Sequence, residues 1–578
     1  MAKKYPSTSR SCASLRDDLT SHLYSQLSVS FGVDERHGDP RSPLFSKEGY
    51  LVASLFSKLP TGSNSAASRK EAALNTFLAS DARNARSNER LLWCEGYIHG
   101  TSIERILGRA RSICASILGY ETVEVYRELA LWGSFSGGAS TSKRRGSSTA
   151  YFKFREQGDI TERAMPYLEE YVRDTRYSEI VDARGTLARV VPGNIFFTVP
   201  KNAETDRGAC KEPDWNMFFQ KGIGDYIRMR LKRVGCDLDD QTQNQRLARL
   251  GSIDGSLATI DLSAASDSNS ISLVERIVPA GLYRVLDDLR SPCTKLPDGS
   301  LYETNMFSSM GNGFTFELET LLFLSLARAI TSLFRIPGKV NVYGDDIIVP
   351  TGAVPMFLDL LGYCGHRPNV TKTFYTGFFR ESCGKHYYHG NDVTPVYVRR
   401  PLTSKQETLI KRRNRKGKVY EVKVPDRRRI IHLHNRLLHW GALDGIVDPR
   451  LDGVIRELRS MIPEDFWGGR DVESIDAAVT PHEPRLRYHE SYGERNVSDE
   501  VVYLMNIAGS RPKSAVRLER PTDPKAEARE RLKPPPVLPT SGHGLITSVT
   551  PRLLARKNKT WQAKQYTAND IPRLLSEL

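Results

Sequence analysis

The chain has 578 residues, with 83 Lys and Arg against 68 Asp and Glu, giving a net charge of +15 and a pI near 9.3. That excess favours an anionic partner, nucleic acid before a membrane surface, and the length allows a large core shared among several subdomains. A membrane span is excluded, because the most apolar run, Thr320 to Ala327, is bracketed by Glu317, Glu319 and Arg328 and falls short of the roughly 20 residues required.

The N-terminus, MAKKYPSTSR, has no apolar stretch of the kind a signal peptide carries. Eight cysteines (Cys12, Cys94, Cys114, Cys210, Cys236, Cys293, Cys364, Cys383) form no C-x-x-C pair, which argues against a zinc cluster or disulfide framework and for a reducing cytosol. Residues 65 to 90, rich in Ala, Arg, Asn and Ser, read as an exposed helix. A second helix spans Ser102 to Leu118, with Thr101 and Glu104 as a capping box, one apolar face running from Ile103 to Ile117, and Gly119 as its stop. Phe135 to Gly146 is a Gly/Ser loop whose Lys143, Arg144 and Arg145 suit either phosphate contact or plain solvation. Phe196 to Gly224 carries Lys201, Arg207 and Lys211 between an apolar start and an aromatic end. Spaced cations suit a triphosphate, and a solvated basic loop fits as well.

Leu257 to Ile260 reads as a buried strand ending at Asp261, with Asp267 six residues on; Asp261 serves equally as a helix cap or as a metal carboxylate. The stretch from Phe307 is a two-glycine loop with Ser309 and Asn312, opening a long helix that is apolar almost all round and therefore buried. Lys339 to Pro350, KVNVYGDDIIVP, places two short apolar runs about Gly344 and Asp345, the pattern of a β-hairpin. Asp345 and Asp346 repel each other there, and a fold that keeps them adjacent calls for a cation; hard oxygens suit Mg²⁺ or Mn²⁺. On its own such a turn is also compatible with ordinary solvation. PNVTKT then brings Lys372, and Phe378 to Tyr397 reads as another hairpin with Gly390 near its turn.

Arg399 to Arg429 holds 13 Lys and Arg against 3 Asp and Glu. Its alternating Val419, Val422 and Val424 about a turn at Lys416-Gly417 indicate a basic β-ribbon, with Lys411, Arg412, Arg413, Arg415, Lys416 and Lys418 as candidate RNA contacts. A helix follows from His432 to Pro449, then a Pro-rich linker after residue 511 and a basic tail.

In order, VPKN, TDR, DLSAASDS, SSMGNGFTFELE, VYGDDII, KTF, FRESCGKHYY and DVTP resemble the catalytic (beta) subunit of the RNA-directed RNA polymerase, or replicase, of the single-stranded RNA bacteriophages, the levivirus family. The resemblance covers about Phe196 to Tyr397. It implies an α+β right-hand polymerase with palm, fingers and thumb, the palm being an antiparallel sheet with a YGDD hairpin. Asp261, Asp345 and Asp346 would hold two Mg²⁺ ions, with Mn²⁺ as a substitute, and Lys372 would protonate the leaving pyrophosphate. Lys201, Arg207 and Lys211 would meet the phosphates of the incoming nucleotide, and Asp267, Ser309 and Asn312 its ribose. The expected division is an N-terminal helical region at 1–130, fingers at 131–250, palm at 251–398, thumb with the ribbon at 399–510 and tail at 511–578. The family also implies template RNA and NTPs as substrates, primer-independent replication in the cytoplasm of an infected bacterium, and host partners: translation elongation factors Tu and Ts and a ribosomal RNA-binding protein.

Two other readings compete. A reverse transcriptase shares the carboxylate trio, but usually has a bulkier residue than Gly344 and an aromatic screen against the 2′-hydroxyl, where this chain has Ser-Ala-Ala-Ser-Asp. A non-catalytic RNA-binding protein explains the charge and leaves the three carboxylates without a role.

Overall fold

The structure is a computed structural model describing residues 18–461, apart from 60–64, 120, 202–205, 400–401, 403–408, 414–418, 424–426 and 444–445, together with strands Leu553–Lys557 and Thr560–Lys564. Helices dominate, joined by small, mostly antiparallel sheets, so the class is α+β.

Two helices, α1 (Asp18–Phe31) and α2 (Lys47–Leu55), lead into α3 (Ala66–Trp93) and α4 (Ile103–Leu118). α4 has the expected apolar face, with Ile103, Ile106, Leu107, Ala110, Cys114 and Ile117 all buried. Its cap is Ser102, whose side chain accepts from Arg105 N, and not Thr101; the strand pair Tyr97–Ile98 and Thr101–Ser102 takes Thr101 into a hairpin. α3 is a helix as expected, but it is not exposed on all sides. Ser80, Asp81, Asn84 and Ser87 form a buried polar face, and Asp81 Oδ1 accepts from Asn305 N and Met306 N at 2.8 Å each.

Strands β1 (Gly193–Pro200) and β2 (Asp206–Lys211) form an antiparallel pair, followed by helices α5 (Asp214–Arg233) and α6 (Thr242–Asp254) and by β3 (Leu257–Ile260). A sheet of order β2-β1-β4-β5 is completed by β4 (Cys293–Lys295) and β5 (Leu301–Glu303). The long helix α7 (Thr315–Leu333) buries Leu318 and Leu321 to Ala327 without interruption and packs on α4, as its unbroken apolar composition requires. Above it, β6 (Asn341–Tyr343) and β7 (Asp346–Pro350) make a hairpin that pairs with β3, in the order β6-β7-β3. All four β3 residues and the last four of β7 are buried, so the sheet is covered on both faces, which accounts for the continuous aliphatic runs in place of alternation.

A third sheet, β8 (Phe379–Ser382), β9 (Lys385–Tyr388) and β10 (Asn391–Asp392), lies beside β3. Its first turn falls at Cys383-Gly384, earlier than expected, and Gly390 occupies the second. Arg380, with no exposed surface, ties the two sheets together: Nε donates to Leu257 O at 2.6 Å and Nη1 to Phe379 O at 2.7 Å and Gly377 O at 2.9 Å. Arg380→Met leaves those buried carbonyls without donors and is expected to cost about 3 kcal/mol. Thermal unfolding reads it as a lowered Tm, and an unchanged Tm would contradict the role.

The basic ribbon forms as an antiparallel pair, β11 (Leu409–Arg413) with β12 (Val419–Lys423). Helix α8 (Arg427–Gly441) stops eight residues short of Pro449, giving way to a short strand pair, Ala442–Leu443 with Ile446–Val447, before α9 (Asp452–Ser460). α1 and α2 share a core with Val396, Val398, α8 and α9, so the first and last of the described helices pack together.

Candidate active site

Register builds the site. Tyr343 pairs with Asp346, which leaves Gly344 and Asp345 as a two-residue turn. Gly344 has φ +63°, its N–H donates to Thr320 Oγ1 at 2.9 Å, and a Cβ there would lie 2.4 Å from Phe316 Cε2. Asp345 therefore caps the hairpin and Asp346 opens β7. Because Ile347 pairs with Ile260 in antiparallel register, Asp261, one residue past β3, lies across from Asp346. Two strands and one turn bring the three expected carboxylates together.

Their electrostatics agree. Burial, and then the charge of Asp345, push the Asp346 carboxyl up to about 7, with Asp261 and Glu381 adding to it. Asp261 is also raised, by burial first, against the pull of Lys372 and the hydrogen bond from Asn369 Nδ2 to Oδ2 at 2.8 Å. Burial works against the Lys372 ammonium, but Glu381, Asp261, Asp346 and Asp345 outweigh it and hold Lys372 above its usual range. Lys201 lies within reach of Asp261 and Asp345, its pKa lowered by burial, Arg207 and Lys372.

Asp267 sits in a 3₁₀ turn, Ser266–Ser268, with its carboxyl pushed up to about 6 by burial. Met310 N donates to its Oδ1 at 3.4 Å, which joins it to the loop bearing Ser309 and Asn312; Arg207 and Lys201 are the cations that act on it. Ser309 Oγ accepts from Asn194 Nδ2, and Asn312 Oδ1 accepts from Phe314 N while its buried Nδ2 has no partner among the described residues. Five of the six expected nucleotide residues thus converge. Lys211 instead rests its ammonium over the Phe197 ring at 5.3 Å.

The RNA contacts fare differently. Lys143 is a correction: it is buried, pairs with Glu156 at 3.0 Å and donates to Gln157 O, so its ammonium braces the loop and is not a free surface cation. Arg144 and Arg145 are exposed. Lys411, Arg412 and Arg413 lie on β11, while Arg415, Lys416 and Lys418 fall outside the described residues.

Three side chains escape a reading of the sequence. Glu381 on β8 acts on Asp261, Asp346 and Lys372 together. Glu319 on α7, almost fully buried beneath Gly344, accepts from Ser266 Oγ at 2.8 Å, and burial followed by Asp345 holds it well above the carboxylate range. Asn369 orients Asp261. The acidic residue in FRES and the second in FELE are the only signals, and each alone reads as a solvent-facing charge.

Hard oxygens that raise one another's pKa fit a divalent cation. Among the described residues no three His, Cys, Asp or Glu side chains are placed to hold a metal ion by themselves. A pH dependence follows. With folded values near 7 for Asp346 and 6 for Asp267, above the usual carboxylate value, the metal-free folded state holds more protons than the unfolded one between about pH 4 and 7. Its stability is therefore expected to fall as pH rises through that window. Divalent cation is expected to raise Tm more at pH 8 than at pH 5; equal shifts at both would contradict this.

The fold is α+β, with a covered antiparallel sheet that sets three carboxylates near the lysines Lys201 and Lys372. The family described as RNA replicase, beta-chain, matches residues 10–511, and the chain belongs to it. It is 37% identical over 511 residues to the RNA-directed RNA polymerase beta chain of Enterobacteria phage fr, covering 86% of this chain and 87% of that one. It is 39% identical over 485 residues to the RNA-directed RNA polymerase beta chain of Escherichia phage MS2, covering 81% and 82%. A solved structure titled "RdRp complex" aligns loosely, at 10% identity and a TM-score of 0.33, over 59% of this chain and 32% of that one. The protein is an RNA-directed RNA polymerase, a nucleotidyltransferase that acts in the infected host on RNA and NTPs. Among the described residues no helix is long and apolar enough to cross a membrane.

Proposed function

We propose that this polymerase replicates a single-stranded phage RNA genome without a primer, and that the pairing of Asp261 opposite Asp346, with Asp345 at the turn, is where nucleotides are joined. The 3′-hydroxyl of the growing RNA attacks the α-phosphorus of an NTP, a phosphodiester forms, and pyrophosphate leaves. Two Mg²⁺ ions, or Mn²⁺, on Asp261, Asp345 and Asp346 would supply the positive charge that ionises the hydroxyl and neutralises the triphosphate.

The chain's own residues do the rest. Lys201 and Arg207 hold the phosphates, with Lys211 further along the same strand pair. Asp267, Ser309 and the free Asn312 Nδ2 meet the ribose, and no bulky side chain in Ser263 to Asp267 screens its 2′-hydroxyl. Lys372, kept protonated by the surrounding carboxylates, gives its proton to the departing pyrophosphate.

Residues 251–398 make the palm, 131–250 the fingers with 1–130 at their edge, and 399–510 the thumb. In the bacterial cytoplasm the chain works with elongation factors Tu and Ts and a ribosomal RNA-binding protein. Support comes from one observation above the others: Lys201, just past β1, and Lys372 act on the same carboxylates that the β3–β7 register brings together. In a test with bacterial extract, an RNA template and labelled nucleotides, NTP incorporation that stops on chelation is expected. Preference for dNTPs, or synthesis indifferent to chelation, would contradict the reading.

A further inference from the structure

Lys58, Arg399 and Arg436 take no part in the chemistry above, yet they meet beside it. Three separate stretches carry them: the turn after α2, the segment leaving β10, and α8. Val398 N donates to Leu55 O at 2.7 Å, and Leu55, Leu59, Val396, Val398, Leu433 and Leu437 share one core, so the three backbones are firmly placed. Lys58 Nζ lies over the Tyr397 ring at 3.5 Å. Tyr397 hydrogen-bonds Tyr50, Tyr50 Oη contacts His386 Nδ1 at 2.8 Å, and His386 Nε2 is 3.4 Å from Glu381. Glu381 acts on Asp261, Asp346 and Lys372. The three cations therefore end a row of side chains that starts at the carboxylates.

Gathering them is costly. Burial, then the charges of Arg399 and Lys372, hold the Lys58 ammonium below its usual pKa, and burial with Arg399 does the same to Arg436. Among the described residues no carboxylate forms an ion pair with any of the three. Glu381 acts on Lys58 from a distance but pairs with none of the three; like charges held together without an ion-pair partner are what a polyanion site requires. The incoming triphosphate has its own cations, Lys201 and Arg207, which act on each other and on Asp267.

We propose that Lys58, Arg399 and Arg436 grip the phosphate backbone of an RNA strand where it passes the active site; this rests on the polymerase reading above. Each cation neutralises one phosphate and fixes the strand's register without reading its bases. Either the template or the growing strand supplies those phosphates, and the test separates them.

The experiment uses the full chain and measures RNA affinity against salt concentration. Each phosphate contact to a single strand contributes a slope of about 0.7, so Lys58→Gln/Arg399→Gln/Arg436→Gln is expected to flatten the dependence by about 2. Its products should also shorten while the NTP KM stays unchanged. Arg399→Gln alone, at an exposed position, is expected to flatten it by about 0.7, and Lys58→Arg to keep the wild-type slope. Photocrosslinking from 4-thiouridine placed in the template or in the product then names the strand gripped. An unchanged slope in the triple variant would overturn the proposal, as would a raised NTP KM with RNA affinity intact. The slope is read without catalysis, so a wild-type chain that synthesises nothing would count against the polymerase reading and not against the grip.

Discussion

Replacing Asp261 with Asn, or Asp345 with Ala, is expected to slow nucleotide addition by on the order of 10²–10³-fold while leaving RNA affinity unchanged or slightly higher. The argument is one of charge. Asp261 and Asp346 lie across from each other in the β3–β7 register, Asp345 caps the turn, and burial together with mutual repulsion raises the Asp261 and Asp346 carboxyls. Such a group is useful only when positive charge is brought to it, and on the proposed reading losing one carboxylate removes a metal ligand. Asparagine keeps the shape and the hydrogen bond from Asn369, so the fold should stand. RNA, held by cations, loses nothing when a negative charge disappears. Single-turnover incorporation with a parallel binding assay reads both quantities; near-normal rates in either variant would remove that residue from the chemistry.

Gly344→Ala is expected to be nearly as damaging, although alanine carries no charge and removes no ligand. At φ +63° an L-residue costs about 1–2 kcal/mol. The larger problem is space: the new Cβ would lie 2.4 Å from Phe316 Cε2 and 3.2 Å from Glu319 Oε1. Phe316 is itself packed edge-on against Tyr343, with ring centroids 5.1 Å apart, so it has little room to retreat. The turn must lift, and Asp345 and Asp346 lift with it. A displacement near 1 Å is enough for a loss of about 10²-fold in rate. The expected result is a modest fall in Tm with a large fall in kcat. Adding Phe316→Ala should restore part of the rate, because it removes the atom in the way. Wild-type kcat in Gly344→Ala would show that the turn tolerates displacement and that the carboxylates are less strictly placed.

The hairpin was legible because local and long-range requirements coincide there: aliphatic runs, a glycine and an acidic pair fall within twelve residues. The burial of α7 was legible from composition alone. Other features depend on partners far along the chain. The polar face of α3 looks solvated until the backbone of Asn305 and Met306, more than two hundred residues away, arrives to use Asp81. Glu319 and Glu381 are single acids in ordinary strings, and only packing beneath Gly344 or beside Lys372 gives them their setting. Lys143 has the opposite history, since its basic loop suggests phosphate until Glu156 and Gln157 O claim the ammonium. The Thr101 cap was misplaced by one residue because Thr and Ser are both good caps, and a hairpin outside the helix decided between them.

The most direct measurement is incorporation of one NTP on an RNA template by the wild-type chain and by Asp346→Asn, with RNA affinity determined on the same preparations. Asparagine retains the size of Asp346 and removes the charge that faces Asp261. The expected result is metal-dependent extension by the wild type, loss of at least about 10²-fold in the variant, and equal RNA binding by both. Equal extension by the two chains would contradict the assignment of nucleotide joining to the β3–β7 carboxylates.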